Sequence, residues 1–260
     1  MKLIKFKTLL KMFTFFVLLS GCSNLPNPLI DQVKKHEIDA ALQTWEEIAR
    51  SNEKHLAGDG WLELSTIASP ATDAKKFYTN LEAWYLIEDG NVINGLTSIK
   101  DTETNEELQR FIINSEGIRA DLIEMRYSGL DATEYAHPAR VDFNIKDISL
   151  TRQDLNIVTD RKSSIHKIEI EETVDEFSVP IIIIKVEFDL TKDTGRANAN
   201  SQFSNYTREI QIYSYDKNTG TCIEREEYYL TKGGHQTGSS KIRFTLHKYK
   251  ELTKQMTEEL

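Results

Sequence analysis

Cys22 and Cys222 are the only two thiols in this 260-residue chain, and their settings differ. Cys22 closes the run Leu19-Ser20-Gly21-Cys22, directly behind the apolar stretch 12–19. That placement bears on export, on membrane attachment and on the fate of the first 21 residues. Cys222 sits in a strand-like region. A Cys–His pair with His235 or His247 is conceivable there, because neighbouring strands can bring such residues together. No nucleophile turn or oxyanion donor set accompanies it, and a buried structural thiol is the plainer reading.

The remaining chemical patterns are weak. Gly233-Gly234-His235-Gln236-Thr237-Gly238-Ser239-Ser240-Lys241 superficially resembles a phosphate-binding loop, but Ser239 stands where lysine must follow the glycine. An apparent strand follows instead of a helix, so a hairpin loop is expected. Asp189, Thr191 and Asp193, or Asp216 and Asn218, offer alternating oxygens, yet neither segment has both the glycine and the bidentate glutamate of a calcium loop. Turn formation accounts for them. The histidines at 36, 55, 137, 166, 235 and 247 show no zinc-binding spacing, and no Gly-x-Ser-x-Gly elbow occurs. Carboxylates abound in Glu224–Glu227, but alternate residues of a strand face opposite sides. Tyr213, Tyr215, Tyr228 and Tyr229, on two adjacent expected strands, form either an aromatic contact patch or ordinary packing beneath a helix or loop. No catalytic residue, cofactor site or metal site is expected.

The leader is more specific. Lys2, Lys5, Lys7 and Lys11 precede the apolar run, no acidic residue occurs before Asp31, and Ser20-Gly21 follows. This is the layout of an export signal, and its apolar stretch is far below the ~20 residues that span a bilayer. Leu19, Ser20, Gly21 and Cys22 match at every position the lipobox of the bacterial lipoproteins, which this leader resembles. The resemblance covers the leader alone. It implies diacylglyceryl transfer to the Cys22 thiol and cleavage before Cys22, often with acylation of the new amino group. Several acyl chains suit stable anchoring, since one chain alone binds a membrane only marginally. With Ser23 rather than Asp after the cysteine, the resemblance implies outer-membrane sorting in a Gram-negative source.

Composition bounds the rest. Hydrophobic content of 39% and charged content of 28% are those of a globular protein. Without the four leader lysines, 28 basic residues face 41 acidic ones, a net charge near −13. An acidic surface opposes binding to nucleic acid and to anionic headgroups. With Cys22 lipidated, Cys222 has no partner in the chain, so the exported domain relies on its apolar core.

The elements follow from periodicity. Residues 22–28 read as a lipidated tether, with Pro26 and Pro28 and at most ~20 Å of reach. Residues 29–56 read as an amphipathic helix with Ile38, Ala41, Leu42, Trp45, Ile48 and Ala49 on one stripe. Ser69-Pro70 looks like a helix start, and Phe77, Leu81, Trp84 and Tyr85 keep helical spacing. Asp89-Gly90 is a competing hairpin signal that would place Tyr85–Glu88 in a strand. A short helix is expected near Thr104–Gln109.

From residue 110 the period becomes two. Hairpin strands are expected on either side of Ser115-Glu116-Gly117. Alternation continues through Val141, Phe143 and Ile145, Ile168 and Ile170, 182–190, Tyr206–Ile212 and 242–246. Arg225, Glu227, Lys241 and Arg243 are expected on the solvated face.

The fold class expected is α+β, with N-terminal helices packed on a twisted, mostly antiparallel sheet. One domain is expected over 29–260, richer in helix at 29–110 and in strand at 110–250. The function expected is that of a membrane-anchored, non-enzymatic extracytoplasmic lipoprotein that binds a protein or cell-envelope component. Alternatives are a carrier or chaperone for an apolar ligand and, further off, a Cys222-dependent hydrolase.

Overall fold

The computed structural model describes residues 28–69, 79–101, 104, 105, 107–114, 117–122, 135–137, 144–192 and 206–252. The chain divides into compact units 1–39 and 40–260, and the second holds every described strand. Helix α1 (Pro28–Leu56) is followed by strands β1 (Gly60–Ser69), β2 (Thr79–Glu88), β3 (Asn91–Asp101), β4 (Glu107–Asn114), β5 (Gly117–Leu122) and β6 (Tyr135–His137). Helices α2 (Ile145–Ile148) and α3 (Leu150–Asp160) come next. Strands β7 (Ile165–Val174), β8 (Pro180–Asp189), β9 (Tyr206–Asp216), β10 (Cys222–Thr231) and β11 (Gln236–Tyr249) complete the unit.

The strands form one open antiparallel sheet in the order β6-β5-β4-β3-β2-β1-β11-β10-β9-β8-β7. It consists of two meanders joined along the β1–β11 pair, whose register runs from Trp61↔Tyr249 to Ser69↔Lys241. The chain passes from edge strand β6 to the opposite edge strand β7 through α2 and α3.

Alternation sets the faces. Ile182, Ile184, Val186 and Phe188 of β8 are buried, opposite Tyr215, Tyr213, Gln211 and Glu209 of β9. Leu62, Ile87 and Val92 meet Leu56 at the end of α1 and Ile145 and Ile148 of α2 in a second apolar cluster. The β2–β3 turn is the hairpin that Asp89-Gly90 signals, with φ of 49° and 73°. Two left-handed residues in succession suit the right-handed twist of the flanking strands.

Strands at 168–170, 182–190, 206–212 and 242–246, and the hairpin between β4 and β5, match expectation. Others do not. Leu81, Trp84 and Tyr85 lie in β2, not a helix, because Leu81, Ala83, Tyr85 and Ile87 alternate toward the helices while Trp84 and Leu86 supply apolar groups on the other face. Apolar residues on both faces of a strand imitate a helical period. Residues from Glu107 onward belong to β4 rather than a short helix, and Ile145 opens α2 rather than continuing a strand. Strands β1 to β3 therefore interleave with the expected helix-rich region. Phe77, Val141 and Phe143 lie outside the described residues.

Helix α3 escaped the periodic reading because its buried stripe is Thr151, Asp154, Leu155 and Val158, half of it polar. Arg225 and Glu227 also depart from expectation. A register shift between Cys222 and Glu224 puts Cys222, Arg225 and Glu227 on the helix-facing side. Glu224 stays on the opposite side, where Lys241 and Arg243 pair with it at 2.7 and 3.1 Å. A bulge of this kind re-aims every later side chain of its strand.

Candidate functional site

The densest chemistry in the 40–260 unit lies where α3 crosses β9 and β10. Ser149 both ends α2 and caps α3, accepting from the Arg152 amide, while its hydroxyl donates to Asn52 Oδ1 of α1 at 2.7 Å. Thr151 Oγ1 donates to the Gly220 carbonyl at 2.7 Å. Gly220 has φ of 69°, and a Cβ there would lie 2.4 Å from the Ile48 carbonyl oxygen, so only glycine fits the β9–β10 turn against α1. Arg152 clamps α3 to α1 through Glu46 Oε2 and Glu53 Oε1, each at 2.5 Å. Its guanidinium holds the Glu46 carboxyl below the ordinary range.

Asp154 projects from α3 into this frame and is 1% exposed. Tyr215 donates to its Oδ2 at 2.9 Å, and Arg225 Nη2 lies 2.5 Å from its Oδ1. Burial outweighs both partners and pushes the carboxyl up to about 6. Arg225 also donates to the Leu150 carbonyl at 3.2 Å and lies 4.9 Å from the centre of the Phe244 ring. Beside it on β9, Tyr213 donates to Gln211, Gln211 donates to Glu209, and Glu209 receives Arg161 bidentately at 3.0 and 2.8 Å. Arg161 in turn sits 3.9 Å above the Phe188 ring. A small cleft of about 250 Å³, bordered by Ile157, Tyr213, Arg225, Glu227 and Ile242, opens from this cluster to solvent.

Cys222 is buried within the same cluster. Burial, then the neighbouring Asp154 carboxylate, pushes its thiol well above the usual value. His235 is exposed in the β10–β11 loop, and exposed His247 lies on the sheet face opposite the helices. The nucleophile–base pairing of Cys222 with either histidine does not form.

The tyrosines divide as well. Tyr213, Tyr215 and Tyr229 are buried toward the helices, whereas Tyr228 lies on the other face. Trp45 of α1, fully buried, packs on Tyr213 and Tyr215 at ring-centre distances of 5.0 and 6.0 Å. They are core, not a contact patch. Asp189 and Asp216 use their carboxylates to accept from Thr191, and from Asn218 and Thr219, within their own turns. Among the described residues no cluster suited to a metal ion is present. Of the run Gly233–Lys241, Gly233, Gly234 and His235 lie in the hairpin loop between β10 and β11, and Gln236 onward pairs with β10 as part of β11. Nothing in the periodicity marks Asp154 or turns Arg225 inward; their pairing depends on helix α3 and on the bulge after Cys222. Cys22 lies outside the described residues.

No known family matches this sequence, and no curated protein matches it. Among solved structures, the chain is similar to LprF from Mycobacterium bovis at 8% identity and a TM-score of 0.36, covering 81% of this chain and 95% of that one. It is similar to the lipoprotein LppX from Mycobacterium tuberculosis at 11% identity and a TM-score of 0.38, covering 83% and 97%. It is also similar to the MucA/MucB complex structure from Pseudomonas aeruginosa at 10% identity and a TM-score of 0.41, covering 82% and 60%. Likeness at this level leaves function to be read from the residues themselves.

Proposed function

We propose that the chain is an extracytoplasmic lipoprotein of the cell envelope, cleaved before Cys22 and moored by diacylglycerol on that thiol. Its sheet domain acts as a non-enzymatic binding module for a protein or envelope component. The lipobox Leu19-Ser20-Gly21-Cys22 supports the mooring. The observation that carries the binding role is the filled interior beneath α1. Trp45 is fully buried on Tyr213 and Tyr215, and α3 is pinned through Asp154, Tyr215 and Arg225. A carrier for acyl chains needs an apolar chamber of several hundred Å³ at that place. Here it is taken up by aromatic rings and paired charges.

A second reading rests on a different strip. Leu81, Ile99, Ile242 and Phe244, half-buried on the helix-facing side of β2, β3 and β11, with exposed Ile157 near Ile242, would suit an apolar ligand.

The test has two arms. Cells fed an alkyne fatty acid label the wild-type chain and do not label Cys22→Ser; equal labelling of both refutes the mooring. Native mass spectrometry of the full-length chain shows only covalent lipid. A stoichiometric non-covalent lipid would establish the carrier reading instead.

A further inference from the structure

On the sheet face away from the helices, the rungs of β2, β3 and β4 build a small cleft that the reading above does not use. Glu82, Ser98 and Arg110 stand opposite one another across the three strands, and Trp84 stands opposite Leu96 one rung away. These residues, with Lys100 and Glu107, line a cleft of about 170 Å³. That is below the ~300–1,000 Å³ of pockets for drug-sized ligands, so it suits a single ring.

Three features define what fits. First, its charges are already paired: Lys100 lies 2.5 Å from Glu82, and Arg110 meets Glu107 through two bonds of 3.0 and 2.7 Å. With two carboxylates and two cations, the cleft carries no net charge to select an ion. It does present acceptors and donors side by side, the pattern that vicinal hydroxyls satisfy, each being donor and acceptor at once. Second, Trp84 is half-buried and lines the cleft, and Tyr249 stacks on its indole at 5.9 Å and 24°. An indole backed by a second ring is a rigid platform for the C–H face of a ring.

Third, Ser98 is 8% exposed, and among the described residues its hydroxyl has no hydrogen-bond partner. A buried unpaired hydroxyl is a standing cost, which a ligand hydroxyl at the cleft floor relieves.

We infer that this cleft binds one neutral sugar ring, stacked on Trp84, with its hydroxyls bridging the Glu82–Lys100 and Glu107–Arg110 pairs and reaching Ser98. The inference names one envelope component for the binding role proposed above, but its geometry does not depend on lipid at Cys22.

The experiment is saturation-transfer NMR on the full-length chain in a sugar-free detergent, with glucose, galactose, N-acetylglucosamine and, as the anionic control, glucuronic acid. Transfer to at least one neutral sugar is expected, and Trp84→Ala abolishes it while Trp84→Phe retains part. Ser98→Ala is the decisive variant. It weakens binding about fivefold, the size of one hydrogen bond, yet leaves the melting temperature unchanged or higher because it deletes an unpaired hydroxyl. A merely structural serine would move stability and leave affinity alone.

No transfer from any neutral sugar, transfer from glucuronic acid alone, or full affinity in Ser98→Ala would each overturn the inference. The lipid label at Cys22 reads out separately, so loss of sugar binding with labelling intact sinks this site and leaves the mooring standing.

Discussion

Asp154 carries an unusual load for a single side chain. It is buried, faces Arg225 and Tyr215, and ionises only near pH 6 because desolvation opposes its charge. The native state therefore holds the Asp154 proton more tightly than the unfolded chain does. Its contribution to stability is fully present below the ordinary value near 3.8 and is lost as pH rises toward about 6. In urea melts across that interval, the stability of wild type relative to Asp154→Asn is expected to fall by ~3 kcal/mol and then level off; a flat difference would refute the assignment.

Truncation is a separate matter. Asp154→Ala leaves the largely buried Arg225 uncompensated and is expected to cost about 3–5 kcal/mol, while the double change Asp154→Leu with Arg225→Met recovers most of the loss. The buried Cys222 thiol is expected to be silent. A thiol reagent should label Cys222 only in denaturant, and rapid labelling of the folded chain would contradict its burial.

At the scale of elements, the molecule depends on how α1 and α3 are locked to the β9–β10 turn. Gly220 is the tightest point of that lock. Gly220→Ala meets both a left-handed backbone and a carbonyl 2.4 Å away, and a loss of more than about 2 kcal/mol in thermal or chemical melts is expected. Arg152→Ala removes the clamp to Glu46 and Glu53 and is expected to cost about 1–3 kcal/mol.

Much of the element plan was legible. Strands with one wet face, such as β8 and β11, declare themselves by alternation, and Asp89-Gly90 marked its hairpin. What escaped were elements whose patterns are deliberately impure. β2 is apolar on both faces, and α3 buries Thr151 and Asp154 where a helical stripe should be greasy. The site escaped for the same reason, since it consists of the polar residues that spoil those patterns. The bulge after Cys222 finished the concealment by turning Arg225 inward.

At the scale of the whole sheet, two local meanders meet at one distant pairing. Strands β1 and β11 come from opposite ends of the described sheet and occupy its middle. Removing β11 is expected to expose two strand edges at once, those of β1 and β10, and to yield aggregates rather than a smaller folded unit; a monodisperse, cooperatively melting truncation would show otherwise. The sheet's natural edges are treated differently. β7 lines its rim with Lys167, Glu169, Glu171 and Glu172, all exposed, charges that discourage a further strand from adding there.

The central seam also sets a timetable. During synthesis β1 is made well before its partner β11. Until then the two halves have no hydrogen bonds across the middle, and closing so long a loop is slow. A sheet built this way stays unfinished for as long as β11 is withheld. That delay leaves the facing edges of β1 and β10 unpaired until β11 arrives between them.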